Sequence, residues 1–225
     1  MLDYLPTQVK EIFLTGESKR NKNDRILQIA GKNRIKISVL SKSDLDKKTG
    51  RSNHQGIAAE ITDFKYADFS SLLNQAHSFY LILDHIEDPH NLGAIIRTAN
   101  YFGVGGIIIP KDRAAGITPA VIKTSSGAAM TIPISMVSNI GNAIKDLKKN
   151  NIWIIGADTG ADKELSEIDV GELDIGLVIG SEGKGLTKGI KNQCDFLVSI
   201  QGAGKVESLN ASVAAGILMH QLIKE

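Results

Sequence analysis

Three segments of the 225-residue chain, residues 84–103, 176–186 and 198–216, hold the polar side chains and glycines that could bind a ligand and act on it. Glycines let the backbone approach a bound molecule closely, while arginine, asparagine and serine offer hydrogen bonds to it. Such a combination suits a site that holds a small polar ligand and places a reacting group beside it. Each segment alone also has a plain structural interpretation, so its functional meaning depends on all three occurring together.

The first segment, DHIEDPHNLGAIIRTANYFG (84–103), predicts a polar loop followed by a helix with one polar face. Asn91 suits the N-cap of that helix. Arg97 and Asn100 lie three positions apart, so one surface of the helix can present both side chains. The alternative is a capped amphipathic helix whose arginine is merely exposed to solvent.

The second segment, GLVIGSEGKGL (176–186), places glycines in and just after an apolar run, which indicates a backbone that closely approaches something. A Walker A loop would need glycine at the position of Val178 and serine or threonine at that of Gly185. A Rossmann fingerprint would need G-x-G-x-x-G, whereas residues 180–185 read G-x-x-G-x-G. Both nucleotide motifs fail. The segment remains a candidate cradle for a small polar ligand, with Glu182 as its only acid, or else a glycine-rich turn.

The third segment, VSIQGAGKVESLNASVAAG (198–216), predicts a strand, a loop of small residues and a helix that begins at Ser208. Small side chains in that helix allow tight packing against a ligand or another backbone. Ser208 and Asn210 would supply short donor and acceptor groups at its N-terminus. The alternative for Ser208 is a simple N-capping role.

The elements that must position these segments are near-continuous apolar runs, which are typical of parallel strands buried on both faces. They are residues 79–84, 105–110, 151–158, 174–180 and 194–200, and they alternate with helical patterns at 91–102, 118–128, 139–150 and 209–224. This alternation predicts an α/β fold with a parallel sheet and right-handed crossovers. Ligands of such sheets bind at the carboxyl ends of the strands, here the loops after Asp84, Asp158, Gly180 and Ile200.

The residues before this region predict a separate, smaller α/β unit. Strand patterns occupy 11–14, 35–40 and 56–61, a helical pattern covers 23–30, and the polar stretch 42–56 is a loop or a short helix. Residues 64–76 resemble a connecting segment with one short helix. The predicted organisation is therefore a small domain over 1–63, a linker over 64–76 and a larger domain over 77–225.

Charge is distributed unevenly between these parts. Residues 1–60 hold 12 Lys and Arg against 7 Asp and Glu, a net of +5, and the remainder holds 14 against 18, a net of −4, which together give the chain's +1. A basic first quarter favours contact with an anion such as nucleic acid, although a solvated lysine-rich surface is the alternative.

The remaining composition narrows the class of protein. Hydrophobic residues make up 42% and charged residues 23%, which is ordinary for a folded globular protein. The single cysteine, Cys194, excludes a disulfide within the chain and fits a reducing compartment. No apolar run approaches the roughly 18–20 residues of a membrane span, and no secretory signal is visible, so we expect a cytoplasmic protein with no membrane partner. The histidines lack metal-ligand spacing, so no metal is expected.

Taken in order, NLGAIIRTAN (91–100), VIGSEGKGL (178–186) and SLNASVAAG (208–216) resemble the three signature motifs of the SpoU (TrmH) branch of the SPOUT RNA methyltransferases. The basic N-terminal part, with NHQGIAAEI (53–61), resembles the substrate-binding domain of the 23S rRNA guanosine-2′-O-methyltransferases. The resemblance implies a SPOUT catalytic domain with a C-terminal trefoil knot, preceded by a small α/β RNA-binding domain. It also implies a homodimer.

The same resemblance implies a cofactor, S-adenosylmethionine, and a set of site residues. The cofactor-binding residues would be Thr159, Gly180, Ser181, Glu182, Gly183, Ile200, Leu209 and Asn210, and the catalytic residues Asn91, Arg97, Glu182, Ser208 and Asn210. In the family's proposal the arginine is the base that takes the proton of a ribose 2′-hydroxyl. Because a guanidinium has a pKa above ~12, the alternative is that Arg97 clamps the adjacent phosphate. Asn91 would hold Arg97 in place.

Two departures from the subgroup's pattern bear on the substrate. Ile200-Gln201-Gly202 stands where members commonly carry Ile-Pro-Met, and the usual opening of the RNA-binding domain is missing before about Leu5. The expected substrate is a guanosine in large-subunit rRNA. The alternatives are a tRNA, or a non-catalytic RNA-binding protein that kept the fold, which only these departures favour.

Overall fold

A computed structural model describes residues 5–16, 24–50, 53–73, 79–168, 170–171, 173–181 and 183–223 of the chain. The chain divides into two compact units, Met1–Phe64 and Lys65–Glu225. Across the described residues, no helix has both the length and the apolar character needed to cross a membrane.

In its described residues, the first unit is a small three-stranded sheet with two α-helices. Its elements are β1 Val9–Thr15, α1 Asp24–Lys32, β2 Lys36–Leu40, α2 Lys42–Lys48 and β3 Ile57–Ile61. β1 lies in the centre, parallel to β2 and antiparallel to β3. The sheet packs on α1 through a core of Val9, Ile12, Leu14 and Ala30. Ser41 caps α2 by accepting a hydrogen bond from the Asp44 amide at 3.1 Å, so part of the polar stretch 42–56 is helical.

The second unit is a six-stranded sheet with helices between its strands. The strands are β4 Phe79–Leu83, β5 Gly106–Pro110, β6 Ile134–Val137, β7 Trp153–Ala157, β8 Ile175–Ile179 and β9 Phe196–Val198. The helices are α3 Phe69–Leu73, α4 Pro89–Tyr101, α5 Pro119–Thr124, α6 Ile140–Lys149, α7 Lys188–Lys191 and α8 Ala211–Leu222.

All neighbouring strands of this sheet run parallel, in the order β6-β5-β4-β8-β7-β9, which confirms the predicted parallel α/β fold. Every residue of β4, β5 and β8 is buried, as expected for strands covered on both faces. The order reverses between β4 and β8, because β5 and β6 extend to one side and β7 and β9 to the other. Ligands of doubly wound sheets bind beside such a reversal.

Several elements differ from the predicted pattern; among them, α7 forms where no helix is predicted. β6 was absent from the predicted strands, because its four residues include the polar Ser135 and only pairing with β5 identifies it. The helical pattern 118–128 is wrong in its second half, since α5 ends at Thr124 and a 3₁₀ turn follows at Ala128–Met130. Gly127, at φ +86°, interrupts the helix there with a left-handed residue.

Residues 65–73 pack within the second unit. Ala67 forms a bridge with Ser135 beside β6, and its amide donates to the Ile134 carbonyl at 2.8 Å. Leu72 of α3 is 1% exposed and joins the core that contains Tyr80. These contacts give the segment a fixed place beside the sheet.

Candidate active site

The polar loops that follow the strands begin together at one edge of the larger sheet. β8, β7 and β9 are adjacent and parallel, so their following loops, 180–187, 158–164 and 199–210, start side by side. The loop after β4 begins next to them, since the Asp84 amide donates to the Ile179 carbonyl at 2.8 Å. The parallel topology thus brings the second and third segments to one edge.

α4 carries the first segment, and it begins earlier than the predicted cap at Asn91. Asp88 is the N-cap, its carboxylate accepts from the His90 amide at 2.9 Å, and Pro89 is the first helical residue. The prediction that Asn91 caps the helix is therefore wrong. Aspartate followed by proline is a stronger start signal, because Pro has no N–H to satisfy and its φ suits the first turn.

Asn91 instead forms a contact with the third segment. It is 9% exposed, and its Oδ1 accepts a hydrogen bond from Nδ2 of Asn210 at 3.0 Å. A buried amide needs such partners, because leaving one unsatisfied costs roughly 1–3 kcal/mol. This bond joins two predicted site residues that lie far apart in sequence.

Asn210 is also the N-cap of α8. Its Oδ1 accepts from the Ser212 amide at 2.8 Å and from the Ser212 hydroxyl at 2.6 Å. The prediction that this helix begins at Ser208 is wrong, because Asn210 is the residue that satisfies the first amides of α8. Ser208 is exposed, precedes the helix and forms no hydrogen bond with the described residues.

The small residues of α8 let it pack directly on α4. An added Cβ at Gly216 would lie 3.7 Å from the Thr98 side chain, which is ordinary van der Waals contact. α8 also contacts the 3₁₀ turn Leu165–Glu167. The first and third segments therefore form one packed pair of helices, with the Asn91–Asn210 bond at their N-terminal ends.

Arg97 lies on the exposed side of α4. Its side chain forms no hydrogen bond or ion pair with any residue that the structure describes. In particular, no bond joins it to Asn91, so the structure differs from the expectation that Asn91 holds Arg97 in place. Asn100, also exposed, donates to the Thr131 hydroxyl at 3.0 Å. A guanidinium without a protein partner is able to bind a phosphate in a bidentate manner.

The second segment forms a closed turn of glycines after β8. The Gly185 amide donates to the Ser181 carbonyl at 2.9 Å, and Gly183 and Gly185 have φ of +78° and +62°. An added Cβ at Gly180 would lie 2.3 Å from the backbone carbon of Gly185. The turn therefore depends on glycine for both conformation and space. Glu182 lies outside the described residues.

The donor set at this edge fits a nucleoside-like ligand. The hydroxyls of Thr159, Ser181 and Ser208 have no hydrogen-bond partner among the described residues. Apolar side chains lie in the neighbouring loop, where Leu209 is 49% exposed and Ile200 is half-buried. Apolar groups suit the faces of a base, and hydroxyls suit a ribose or an amino-acid moiety.

Two other titratable groups differ in position and in what they contribute: Asp84 follows β4, and Cys194 precedes β9. Asp84 is 2% exposed and pairs with His85 at 2.6 Å, with His85 at φ +61°. The sequence predicted a ligand-binding loop after Asp84, but it did not predict that Asp84 pairs with His85. Burial raises the pKa of the Cys194 thiol to about 12, so it stays protonated near neutral pH and is not a nucleophile. Within the described ranges, no three His, Cys, Asp or Glu side chains could hold a metal ion together.

Comparison with known proteins identifies the family. The sequence model of the SpoU rRNA methylase family matches residues 78–220, and that of the RNA 2′-O ribose methyltransferase substrate-binding domain matches residues 2–67. The chain belongs to the SpoU rRNA methylase family. The resemblance seen in the three motifs is thereby confirmed, and the Asn91–Asn210 bond joins the first SpoU motif to the third.

Two curated SpoU relatives match nearly the whole chain. The 23S rRNA (guanosine-2′-O-)-methyltransferase RlmB of Coxiella burnetii is 38% identical over 230 residues, covering all of this chain and 91% of the relative. YacO of Bacillus subtilis, named as a TrmH family tRNA/rRNA methyltransferase, is 40% identical over 221 residues, covering 96% of this chain and 88% of the relative.

Solved structures share the SpoU fold. The methyltransferase AviRb of Streptomyces viridochromogenes, in complex with AdoMet, has a TM-score of 0.78 and 24% identity, covering 96% of this chain and 82% of that one. An AdoMet-bound rRNA methyltransferase of Sinorhizobium meliloti also has a TM-score of 0.78, with 22% identity and coverage of 95% and 79%. These two likenesses support the fold.

The bond between the SpoU motifs leads to a prediction for Asn210→Ala. The variant loses the cap of α8, which is worth about 1 kcal/mol, and leaves buried Asn91 without this partner, which costs roughly a further 1–3 kcal/mol. We expect a lower free energy of unfolding and a strong loss of methyl transfer, measured by thermal unfolding and by incorporation of labelled methyl groups into RNA.

Asn139→Ala is the matched control for Asn210→Ala. Asn139 caps α6 in the same way, accepting from the Asn142 amide at 2.9 Å, but forms no side-chain hydrogen bond with the motifs in the described part of the chain. It should lose about 1 kcal/mol of stability while methyl transfer by the folded protein stays near normal. Equal losses of transfer in both variants would contradict a specific role for the Asn91–Asn210 bond.

Proposed function

We propose that this protein transfers the methyl group of S-adenosylmethionine to the ribose 2′-hydroxyl of a guanosine in 23S rRNA. The similarity to RlmB of Coxiella burnetii carries this proposal, because it covers all of this chain, both the basic first unit and the catalytic unit. The geometry supports it independently, since the first and third motifs meet through Asn91 and Asn210 while Arg97 forms no hydrogen bond or ion pair with the described residues.

The cofactor would lie at the edge formed by the loops after β7, β8 and β9. Thr159, Ser181, Ile200 and Leu209 would contact it, together with Gly180, Gly183, Glu182 and Asn210. When bound, S-adenosylmethionine supplies a methyl group activated by the positive sulfonium. The protein's own part is to hold the cofactor with its methyl group in line with the ribose oxygen and to keep water out of the path.

Arg97 would bind the RNA rather than the cofactor. A guanidinium keeps its proton at physiological pH and matches the oxygens of a phosphate, so Arg97 is better suited to clamp the phosphate beside the target ribose than to act as a base. Phosphate contacts fix register and orientation without reading the base. Ser208 and Glu182 would help position the 2′-hydroxyl, and Asn91 and Asn210 would hold α4 and α8 in register beside it.

The first unit would bind the RNA substrate. It is the basic part of the chain, with a net charge of +5 over residues 1–60, and it matches the substrate-binding domain model. Positive charge attracts the phosphate backbone independently of sequence. Guanosine selection would therefore depend on which RNA this unit presents to the catalytic unit. We further propose that the catalytic unit contains the trefoil knot, works as a homodimer and acts in the cytoplasm.

The test is methyl transfer from labelled S-adenosylmethionine to purified 23S rRNA and, in parallel, to bulk tRNA. We expect label in 23S rRNA at a guanosine that resists alkaline hydrolysis, because a 2′-O-methyl group removes the internal nucleophile of that cleavage. Label only in tRNA would favour the alternative that the relationship to YacO allows. Label in neither RNA, with no calorimetric binding of S-adenosylmethionine, would favour a non-catalytic RNA-binding protein and overturn the proposal.

A further inference from the structure

An ion pair connects the helix after the glycine loop to the end of β7. Nζ of Lys191, the last residue of α7, lies 2.7 Å from Oδ2 of Asp158. The Asp158 side chain is 12% exposed and the Lys191 side chain 32%, so the pair is partly removed from water. Removing one partner of such a pair is costly, because the remaining charge loses its compensation without regaining full hydration.

Asp158 is the residue at which the loops of two strands are joined. Its amide donates to the Val198 carbonyl of β9 at 2.9 Å, which holds the ends of β7 and β9 together. The loop it begins returns to β9, since the Ser199 amide donates to the Lys163 carbonyl at 2.8 Å. Loop 158–164 is therefore attached at both ends to the strand end that leads into Ile200.

Lys191 connects the loop after β8, residues 180–187, to the loops after β7 and β9. α7 directly follows the glycine turn and is anchored by the buried side chains of Leu186 and Ile190. The Lys191 amide donates to the Thr187 carbonyl at 2.9 Å, so a shift of Lys191 would be transmitted to the end of the 180–187 loop. One ion pair thus connects the loops after β7, β8 and β9.

We propose that Lys191 is a positioning residue for cofactor binding: through Asp158 it sets the spacing of the three loops without touching the cofactor itself. The proposal rests on the proposed function, because those loops are the ones assigned to S-adenosylmethionine. Its consequence is a specific effect on cofactor affinity, separate from the effect on stability that loss of any partly buried ion pair would have.

The chain offers a matched ion pair at the opposite edge of the sheet. Lys148 of α6 lies 2.6 Å from Asp195, with 39% and 21% of the side chains exposed. Asp195 precedes β9 and accepts from the Ile154 amide at 2.9 Å, so this pair ties the amino ends of β7 and β9. The two pairs resemble each other in distance and burial; they differ in which edge of the sheet they occupy, and Lys148 also donates to the Gln193 carbonyl at 3.1 Å.

The experiment compares Lys191→Gln, Lys191→Arg and Lys148→Gln with wild type by calorimetry with S-adenosylmethionine and by thermal unfolding. We expect Lys191→Gln to weaken cofactor binding by about tenfold, while Lys191→Arg recovers most of the affinity. Lys148→Gln should lower the unfolding temperature by a similar amount and leave the Kd for the cofactor unchanged. In steady state, Lys191→Gln should raise the KM for S-adenosylmethionine with little change in kcat or in the KM for RNA.

Amide hydrogen exchange in the absence of any cofactor gives a second readout. The amides of Gly160 and Ser199 should exchange faster in Lys191→Gln than in Lys148→Gln. Unchanged cofactor affinity in Lys191→Gln, or an equal loss in Lys148→Gln, overturns this proposal while the proposed function stands. Failure of wild type to bind S-adenosylmethionine overturns the proposed function, and this proposal with it.

Discussion

Arg97→Ala is expected to reduce methyl transfer to RNA by roughly 10²–10³-fold while S-adenosylmethionine binds with unchanged affinity. The side chain is exposed on α4 and has no polar partner among the described residues, so its removal breaks no hydrogen bond or ion pair within that part of the fold. What it removes is the group proposed to clamp the phosphate of the target ribose. Single-turnover transfer from labelled cofactor and calorimetry on the same preparation measure the two quantities.

Two further variants test whether the effect of Arg97→Ala comes from the loss of the positive charge, from the loss of the guanidinium geometry, or from the loss of any surface cation. Arg97→Lys keeps the charge but loses the planar fork, so it should recover only a small part of the rate. Lys145→Ala removes from α6 an exposed cation that has no ion-pair partner among the described residues, and it should transfer methyl groups at a nearly normal rate. Near-normal turnover by Arg97→Ala would remove this residue from the site.

The effect of salt concentration on RNA binding distinguishes the two roles considered for Arg97, a phosphate clamp and a base. If it contacts a phosphate, Arg97→Ala should also lessen the dependence of RNA binding on salt, because one fewer counterion is released on binding. A proton-accepting role without phosphate contact would leave that dependence unchanged. The slope of log Kd for RNA against log salt concentration is the measurement.

The sheet was predictable from the sequence because continuous apolar runs that alternate with helical patterns are typical of buried parallel strands. Buried parallel strands such as β4 and β8 must be apolar on both faces, and their spacing leaves room for the crossover helices. β6 fails this criterion, since a four-residue strand with Ser135 in it gains its identity from pairing with β5. The parallel topology alone was enough to predict at which edge of the sheet the motifs meet.

The finer contacts of the site were not predictable from the sequence. Some join residues that are distant in sequence, and others depend on which of several neighbouring residues takes the N-cap position of a helix. The Asn91–Asn210 bond spans 119 positions, and helix periodicity assigns each residue only to its own helix. Asn91 and Ser208 both had the residue types of N-caps, yet Asp88 and Asn210 occupy those positions. Lys191 and Asp158 likewise show no local pattern. The trefoil knot stays a prediction, since strand order does not determine how a chain threads.

Gly180→Ala should disrupt the glycine turn more than any other single methyl group added to the second motif. Its Cβ would lie 2.3 Å from the carbonyl carbon of Gly185, 2.5 Å from that carbonyl's oxygen and 2.6 Å from the amide of Leu186. All three atoms belong to the backbone, so no rotamer change relieves the clash. The turn must open, at a cost of roughly 1–3 kcal/mol for overpacking.

Opening the turn strains the hydrogen bond between the Gly185 amide and the Ser181 carbonyl and displaces the residues proposed to hold the cofactor. We therefore expect Gly180→Ala to weaken S-adenosylmethionine binding by roughly 10- to 100-fold, measured by calorimetry, and to lower the unfolding temperature. Gly189→Ala is the control, because an added Cβ there meets nothing within 4 Å and alanine favours the helix α7. Wild-type affinity in Gly180→Ala would show that the closed glycine turn is not needed for binding, whereas a loss confined to that variant would assign the cofactor to this turn.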